Sequence, residues 1–181
     1  MEFNPLIMNL SGTQSIRFYS TKKLTHVNSK GEAKMVDISN KSITTRQAKA
    51  HGYITFSNEF PIQQIKENSN KKGDVLSIAR ISGIMAIKKT SDLVILCHPL
   101  SLTKAEVILE IQDPFTIKVE SVVRCEGKTG VEMEALTGVN IALLNVYDMC
   151  KAVDKHMKIG NVQVVNKTGG KEDFDLEKSI N

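Results

Sequence analysis

Two hydrophobic periods divide the chain. Between residues 105 and 124 the apolar positions alternate: Val107, Leu109 and Ile111, then Ile117, Val119 and Val123 with Ser121 in phase. A period of two marks half-buried strands, and Asp113-Pro114 between the runs reads as a turn, so 105–112 and 116–124 are predicted to form an antiparallel hairpin. From 131 onward the spacing changes. Val131, Met133, Ala135, Leu136, Val139, Ile141, Ala142, Leu143, Leu144, Val146 and Met149 occupy every side of one predicted helix. The turn Gly127-Lys128-Thr129-Gly130 feeds it, and it is expected to run on to Lys155. A helix apolar all round is expected to be buried, under a sheet or against another subunit.

The remaining elements fit around these. Residues 33–38 and 45–56 are rich in β-branched positions and read as extended, broken by Gly31, Asn40 and Gly52. Residues 61–67 read as a short helix with proline in its first turn. A polar loop, 68–73, precedes Asp74, which can cap a mostly apolar helix over 75–89. On that helix Ser82 and Gly83 leave room for a close neighbour. The apolar run 93–100 ends at His98, which Pro99 biases toward an extended backbone. A last strand is expected at 159–166 and a polar tail at 172–181. Two strands, two helices, two strands, a long helix and a strand make an α+β fold, with an antiparallel sheet and helices packed on one face.

Composition narrows this picture. A chain of 181 residues is long enough for one domain with a real core. Net charge is +4 with scattered basic residues, aromatics are 5% and tryptophan is absent. That argues against nucleic acid as a partner. No apolar run is long enough to span a bilayer, so no membrane partner is expected. Cys97, Cys125 and Cys150 read as free thiols in a reducing compartment, with neither a disulfide framework nor a metal-ligand set. Residues 1–23 carry Arg17, Lys22, Lys23, many hydroxyls and one acid, Glu2. They read as a mitochondrial transit peptide, hence a matrix location; the alternative is a disordered tail on a cytoplasmic protein.

Candidate chemistry lies on the long helix. Glu132 and Glu134 are either first-turn acids favoured by the helix dipole or working carboxylates. Asp148 falls deep in the apolar run and is expected to be buried, paired with Lys151 three residues on. Charges on a buried helix are costly unless paired or used. Glu134 and Asp148 are separated by roughly 21 Å of helical rise at an offset of about 40°. They face the same way from opposite ends, which calls for a site shared across a two-fold axis. His98 is either a satisfied core histidine or a functional one. Residues 167–171, Lys-Thr-Gly-Gly-Lys, form a basic segment whose bare backbone can approach a phosphate.

Several runs together resemble one family. They are Leu24-Thr25-His26-Val27 with Met35-Val36-Asp37, Lys72-Gly73-Asp74-Val75 with Ala79-Arg80-Ile81, and Leu96-Cys97-His98-Pro99-Leu100. Gly127 through Leu136, Tyr147 through Asp154, and Lys167 with Gly169-Gly170-Lys171 complete the set. Over residues 24–171 the chain resembles the MoaC family of molybdenum cofactor biosynthesis. The resemblance implies a ferredoxin-like fold, a homohexamer built from dimers, and a site at a subunit interface. It implies a lyase that converts (8S)-3′,8-cyclo-7,8-dihydroguanosine 5′-triphosphate, a small-molecule substrate, to cyclic pyranopterin monophosphate and pyrophosphate. Mg2+ accompanying the triphosphate is the one cofactor considered.

Carried onto this sequence, the implied catalytic set is Asp148, Lys151, Glu134, Glu132, His98 and Lys72. Substrate contacts fall to Leu96, Cys97, His98, Met133, Glu134 and Lys167, with Arg46, Lys88 and Arg124 as further basic contacts. The sequence departs from the family at Ile95, where a proline is usual, at Ser91, where an aromatic is common, and after Lys171. A non-catalytic nucleotide-binding oligomer is the rival reading; it would carry basic loops without acids on an apolar helix.

Overall fold

The computed structural model describes residues 26–28 and 30–178. The alternating runs become long strands: β1 (Thr44–Thr55), β2 (Leu102–Asp113), β3 (Thr116–Gly127) and β4 (Lys158–Thr168), with a two-residue β5 (Phe174–Asp175). They form one antiparallel sheet in the order β2-β3-β1-β4-β5. Short α1 (Phe60–Lys66) and longer α2 (Val75–Ile87) lie between β1 and β2 in sequence, followed by a four-residue α3 (Thr90–Leu93). The long α4 (Glu132–Cys150) connects β3 to β4. This interleaving of two split β-α-β units is the ferredoxin-like arrangement, as the resemblance implies.

The inward positions of the strands build the core. Ala48, Ala50 and Ile54 of β1, Val107 and Leu109 of β2, and Ile117, Val119 and Val123 of β3 pack against α2 and α4. The helices contribute Val75, Ala79 and Ile87, then Ala135, Val139, Ala142, Leu143 and Val146. Where the two helices cross, Gly83 faces the backbone of α4: a Cβ there would lie 2.9 Å from the Gly138 carbonyl oxygen. The small residues expected to admit a close neighbour do so. Asp74 caps α2, accepting from the Ser77 amide at 3.0 Å.

Some expectations are corrected. Residues 33–38 join no sheet; Ala33 makes one isolated bridge, to Val27. Both edges of β1 are already taken by β3 and β4, so no strand partner remains there. The second helix ends at Ile87 and the long helix at Cys150, short of Lys89 and Lys155. Nor is α4 buried all round: Met133 is 39% and Leu144 53% exposed, on the face turned from the sheet. The expected polar tail instead begins with β5, which covers the β4 edge through Asn166–Asp175 and Lys167–Phe174 pairing. The transit-peptide reading concerns residues outside those described. Among the described residues no helix is long and apolar enough to cross a membrane.

Candidate active site

The end of β3 and the start of α4 form one wall of the site. Ser121 on β3 donates to the Ala135 carbonyl at 2.6 Å and pins the first turn of α4 to the sheet. That turn carries Glu132, Met133 and Glu134. Glu134 points out of water, only 4% exposed, and no cation pairs with it among the described residues. Burial raises its pKa; its own backbone N–H opposes this and the neighbouring Glu132 charge adds to it.

Facing this turn is the apolar run after α3, which folds as a loop presenting Leu96, Cys97 and His98. Together they bound a cavity of about 350 Å³ with Leu100, Thr129, Gly130, Glu132, Met133 and Glu134. His26, Val36, Ile38 and Lys41 close it from the N-terminal segment, which Lys128 holds in place by donating to the Ser39 carbonyl at 2.6 Å. Burial pushes the Cys97 thiol up, and the charge of Glu134 pushes the same way.

A second cavity, about 230 Å³, shares Lys41, Thr129, Gly130 and Glu132 with the first. It adds Arg46, Lys167, Gly170 and Lys171, so four cations stand around one carboxylate. Lys167 pairs with Glu132, and Arg46 donates to the Gly127 carbonyl at 2.9 Å. The loop after β4 reaches this position because Gly169 sits at φ +81, with the Thr45 carbonyl oxygen where a Cβ would be. Thr44 then donates to the Gly169 carbonyl at 2.9 Å. A largely apolar chamber beside a cationic one suits a ring system that carries phosphates.

Asp148 and Lys151 lie at the other end of α4. The Lys151 ammonium stands 2.6 Å and the Lys72 ammonium 2.9 Å from the two Asp148 carboxylate oxygens. Lys72 also donates to the Asp148 carbonyl at 2.6 Å. Its loop is shaped by Asn70, whose Oδ1 accepts from the Lys72 amide at 2.9 Å. Hydrogen bonds from Lys151 and Lys72 hold the Asp148 carboxyl at about 2. The pairing with Lys151 is as expected, but burial is not: the Asp148 and Lys151 side chains are both 55% exposed. Position 148 falls on the outer face of α4, and an unbroken apolar run does not distinguish that face from the buried one.

The candidate residues therefore fall into two groups. Leu96, Cys97, His98, Glu132, Met133 and Glu134 line the large cavity, with Arg46 and Lys167 beside it. Lys72, Asp148 and Lys151 gather at the far end of the helix. Lys88 lies in a small cleft behind Glu134. Arg124 is on the exposed side of β3, donating to the Gln47 side chain at 2.7 Å, outside these cavities. Residue-level reasoning missed His26, Val36, Ile38 and Lys41. The runs 24–27 and 35–37 take in His26 and Val36, and nothing in the sequence pattern points to Ile38 or Lys41. Among the described residues no group of three His, Cys, Asp or Glu could hold a metal ion.

Fold and cavities together define a ferredoxin-like α+β protein with a small-molecule site of acids and cations at the end of a helix. More particularly, the chain belongs to the MoaC family, whose model matches residues 35–170. It is 49% identical over 149 residues to the Desulfitobacterium hafniense protein named cyclic pyranopterin monophosphate synthase, covering 82% of this chain and 91% of that one. A Parvibaculum lavamentivorans protein of the same name is 50% identical over 153 residues, covering 84% and 95%.

Proposed function

We propose that the chain is a cyclic pyranopterin monophosphate synthase, a lyase acting early in molybdenum cofactor biosynthesis. Its substrate in this reading is (8S)-3′,8-cyclo-7,8-dihydroguanosine 5′-triphosphate, and its products are cyclic pyranopterin monophosphate and pyrophosphate. The observation that carries the reading is Glu134, a buried carboxyl with raised pKa on the wall of a ring-sized cavity that adjoins four cations. Opening one ring and closing another are proton-transfer steps, for which a carboxyl with a raised pKa and His98 are suited. Lys41, Arg46, Lys167 and Lys171 suit the triphosphate and the charge that develops as pyrophosphate leaves. Mg2+ entering as the triphosphate's counter-ion needs only substrate oxygens and water.

The active unit in this reading is a homo-oligomer, a hexamer built from dimers. Glu134 and Asp148 are roughly 21 Å apart along α4, too far for one ring system to touch both. A two-fold mate running antiparallel brings the Asp148–Lys151–Lys72 group of one copy to the cavity of the other. The mature protein then works in the mitochondrial matrix, the cytoplasm being the alternative.

Two experiments test this. Purified protein incubated with the cyclised substrate should release pyrophosphate; none released would refute the activity. Mixing inactive Glu134→Ala and Asp148→Asn subunits after mild dissociation should restore a fraction of activity, because hybrid dimers hold one intact site. No recovery, with hybrids seen by mass spectrometry, means each subunit holds a complete site.

A further inference from the structure

Glu134 does not only face the large cavity. It also lines a separate cleft of about 80 Å³ bounded by Ile87, Lys88, Thr90, Ser91 and Pro99. Leu100 and Glu134 are common to both spaces and so form the partition between them. At the mouth of the cleft are exposed Lys88 and Pro99, and half-buried Ser91. A water needs only about 10–15 Å³ of such space plus two or more polar partners, so the cleft has room for several. The Ser91 hydroxyl, the Lys88 ammonium and the Glu134 carboxyl are partners of the right kind. Thr90 is committed elsewhere, donating toward the Ala86 and Ile87 carbonyls at 3.3 and 3.0 Å.

We propose that this cleft is a hydrated rear access to Glu134, and that Ser91, by leaving it open, sets how readily Glu134 ionises and regains its proton when substrate fills the front cavity. The inference rests on Glu134 working as the acid–base group proposed above. A ligand occupying the front cavity displaces the water there. The carboxylate left after Glu134 gives up its proton then takes one from a cleft water, and that water is reprotonated from bulk solvent; the reverse sequence clears a proton after Glu134 acts as base. No other reactant is required. The charged and titratable groups around Glu134 are Glu132 on its own helix, Lys88 after α2, Cys97 and His98 on the facing loop, Cys125 on β3, and His26 and Lys41 on the N-terminal segment that closes the front cavity. Of these, burial and the Glu134 charge raise Cys97 and Cys125, so both thiols stay neutral and neither competes with the cleft water for the Glu134 proton.

The test fills the cleft. Ser91→Phe should exclude its water, and Ser91→Val should do so in part, should the larger side chain prevent folding. The Glu134 carboxyl is followed by infrared difference titration of the whole protein, with Glu134→Gln identifying its band. In the filled variants the midpoint should move up, by on the order of one pH unit for Ser91→Phe. Ser91→Ala, which keeps the cleft open, should leave the midpoint in place or lower it. An unmoved midpoint in folded Ser91→Phe and Ser91→Val overturns the proposal. In turnover, the limb of the kcat profile belonging to Glu134 should shift with the titration while KM at the plateau stays constant. A raised KM with an unmoved limb would make the cleft a substrate subsite and also overturn it. The titration needs no substrate, so loss of the proposed activity and loss of this inference are read separately.

Discussion

Asp154 gives the sharpest stability prediction. Its carboxylate is 3% exposed and closes the turn that follows α4. It accepts from the Ser57 amide at 2.6 Å, the Ser57 hydroxyl at 2.8 Å and the His156 amide at 2.8 Å. This ties the exit of α4 to the segment leading from β1 into α1. Hydrogen bonds to a charged acceptor contribute about 1.5–3 kcal/mol each, but three on one carboxylate do not add. Asp154→Ala leaves two part-buried amides and a hydroxyl without their partner, and the expected cost is about 2–4 kcal/mol. For a chain of this length that lowers Tm by about 10 °C. Asp154→Asn keeps an acceptor oxygen and should lose about half as much. Burial pushes this carboxyl up, but the His156 and Ser57 hydrogen bonds outweigh it and the pKa is lowered. Folding thus favours the ionised form. The stabilisation is present above the unfolded carboxyl value of about 3.9 and is lost as pH falls through the lower folded value. Urea unfolding at fixed protein concentration should show a constant gap between wild type and Asp154→Ala from neutral pH down to about 5, shrinking below about 4. A cost under about 1 kcal/mol at neutral pH, or a gap that persists in acid, would refute this account of the clamp.

Three further outcomes are expected. Asp148→Asn should abolish turnover with the fold intact, and adding Lys151→Ala should cost little more, since residues acting as one unit are non-additive; steady-state kinetics of the single and double variants decide it. Glu134→Gln should lose activity yet gain stability at pH 8 relative to pH 4. The raised folded pKa means the native state binds its proton more tightly than the unfolded chain, so wild-type stability falls as pH rises from about 4.3 toward that value. Equal pH dependence of the two proteins in denaturant titrations would count against it. Gly169→Ala must adopt φ +81 with its Cβ against the Thr45 carbonyl. It should destabilise by at least about 1–2 kcal/mol and weaken pyrophosphate binding, measured by calorimetry, because Lys167 and Lys171 flank this turn.

How far the sequence could be read depended on the range of the interaction. The hairpin, the Asp74 cap and the Gly83 contact follow from local pattern, since alternation, capping chemistry and absence of a side chain act within a few residues. Residues 33–38 failed because β-branched content says nothing about whether a strand edge is free. Asp148 failed for a different reason. Leu144 and Val146 are both apolar neighbours in sequence, but one is 53% exposed and the other fully buried. Only the packing of α4 on β1 and β3 separates them. The N-terminal side of the cavity is least legible: Val36, Ile38 and Lys41 are brought to the α4 turn by chain that forms no helix or sheet.

The two ends of α4 carry carboxylates with opposite tuning. Asp148, held at about 2 by two lysines, is ionised at any working pH and can supply only fixed charge until a lysine proton moves. Glu134, desolvated and lacking a cation among the described residues, has its pKa pushed up and is the end better able to hold or take a proton. Carboxyl groups pushed apart in this way divide acid–base work from charge stabilisation. Within one chain that division is useless, because the helix that tunes both also holds them apart. It becomes useful only if the exposed outer face of α4, with Met133 beside Glu134 and Leu144 between the two carboxylates, is where a second copy lies. Burying that face would remove apolar surface from water, desolvate Asp148 and its lysines, and raise the coupling among them. The weak, solvent-exposed ion pairs seen in the single chain would then become a catalytic group through assembly, which is why the subunit-mixing experiment, more than any single substitution, tests how this site works.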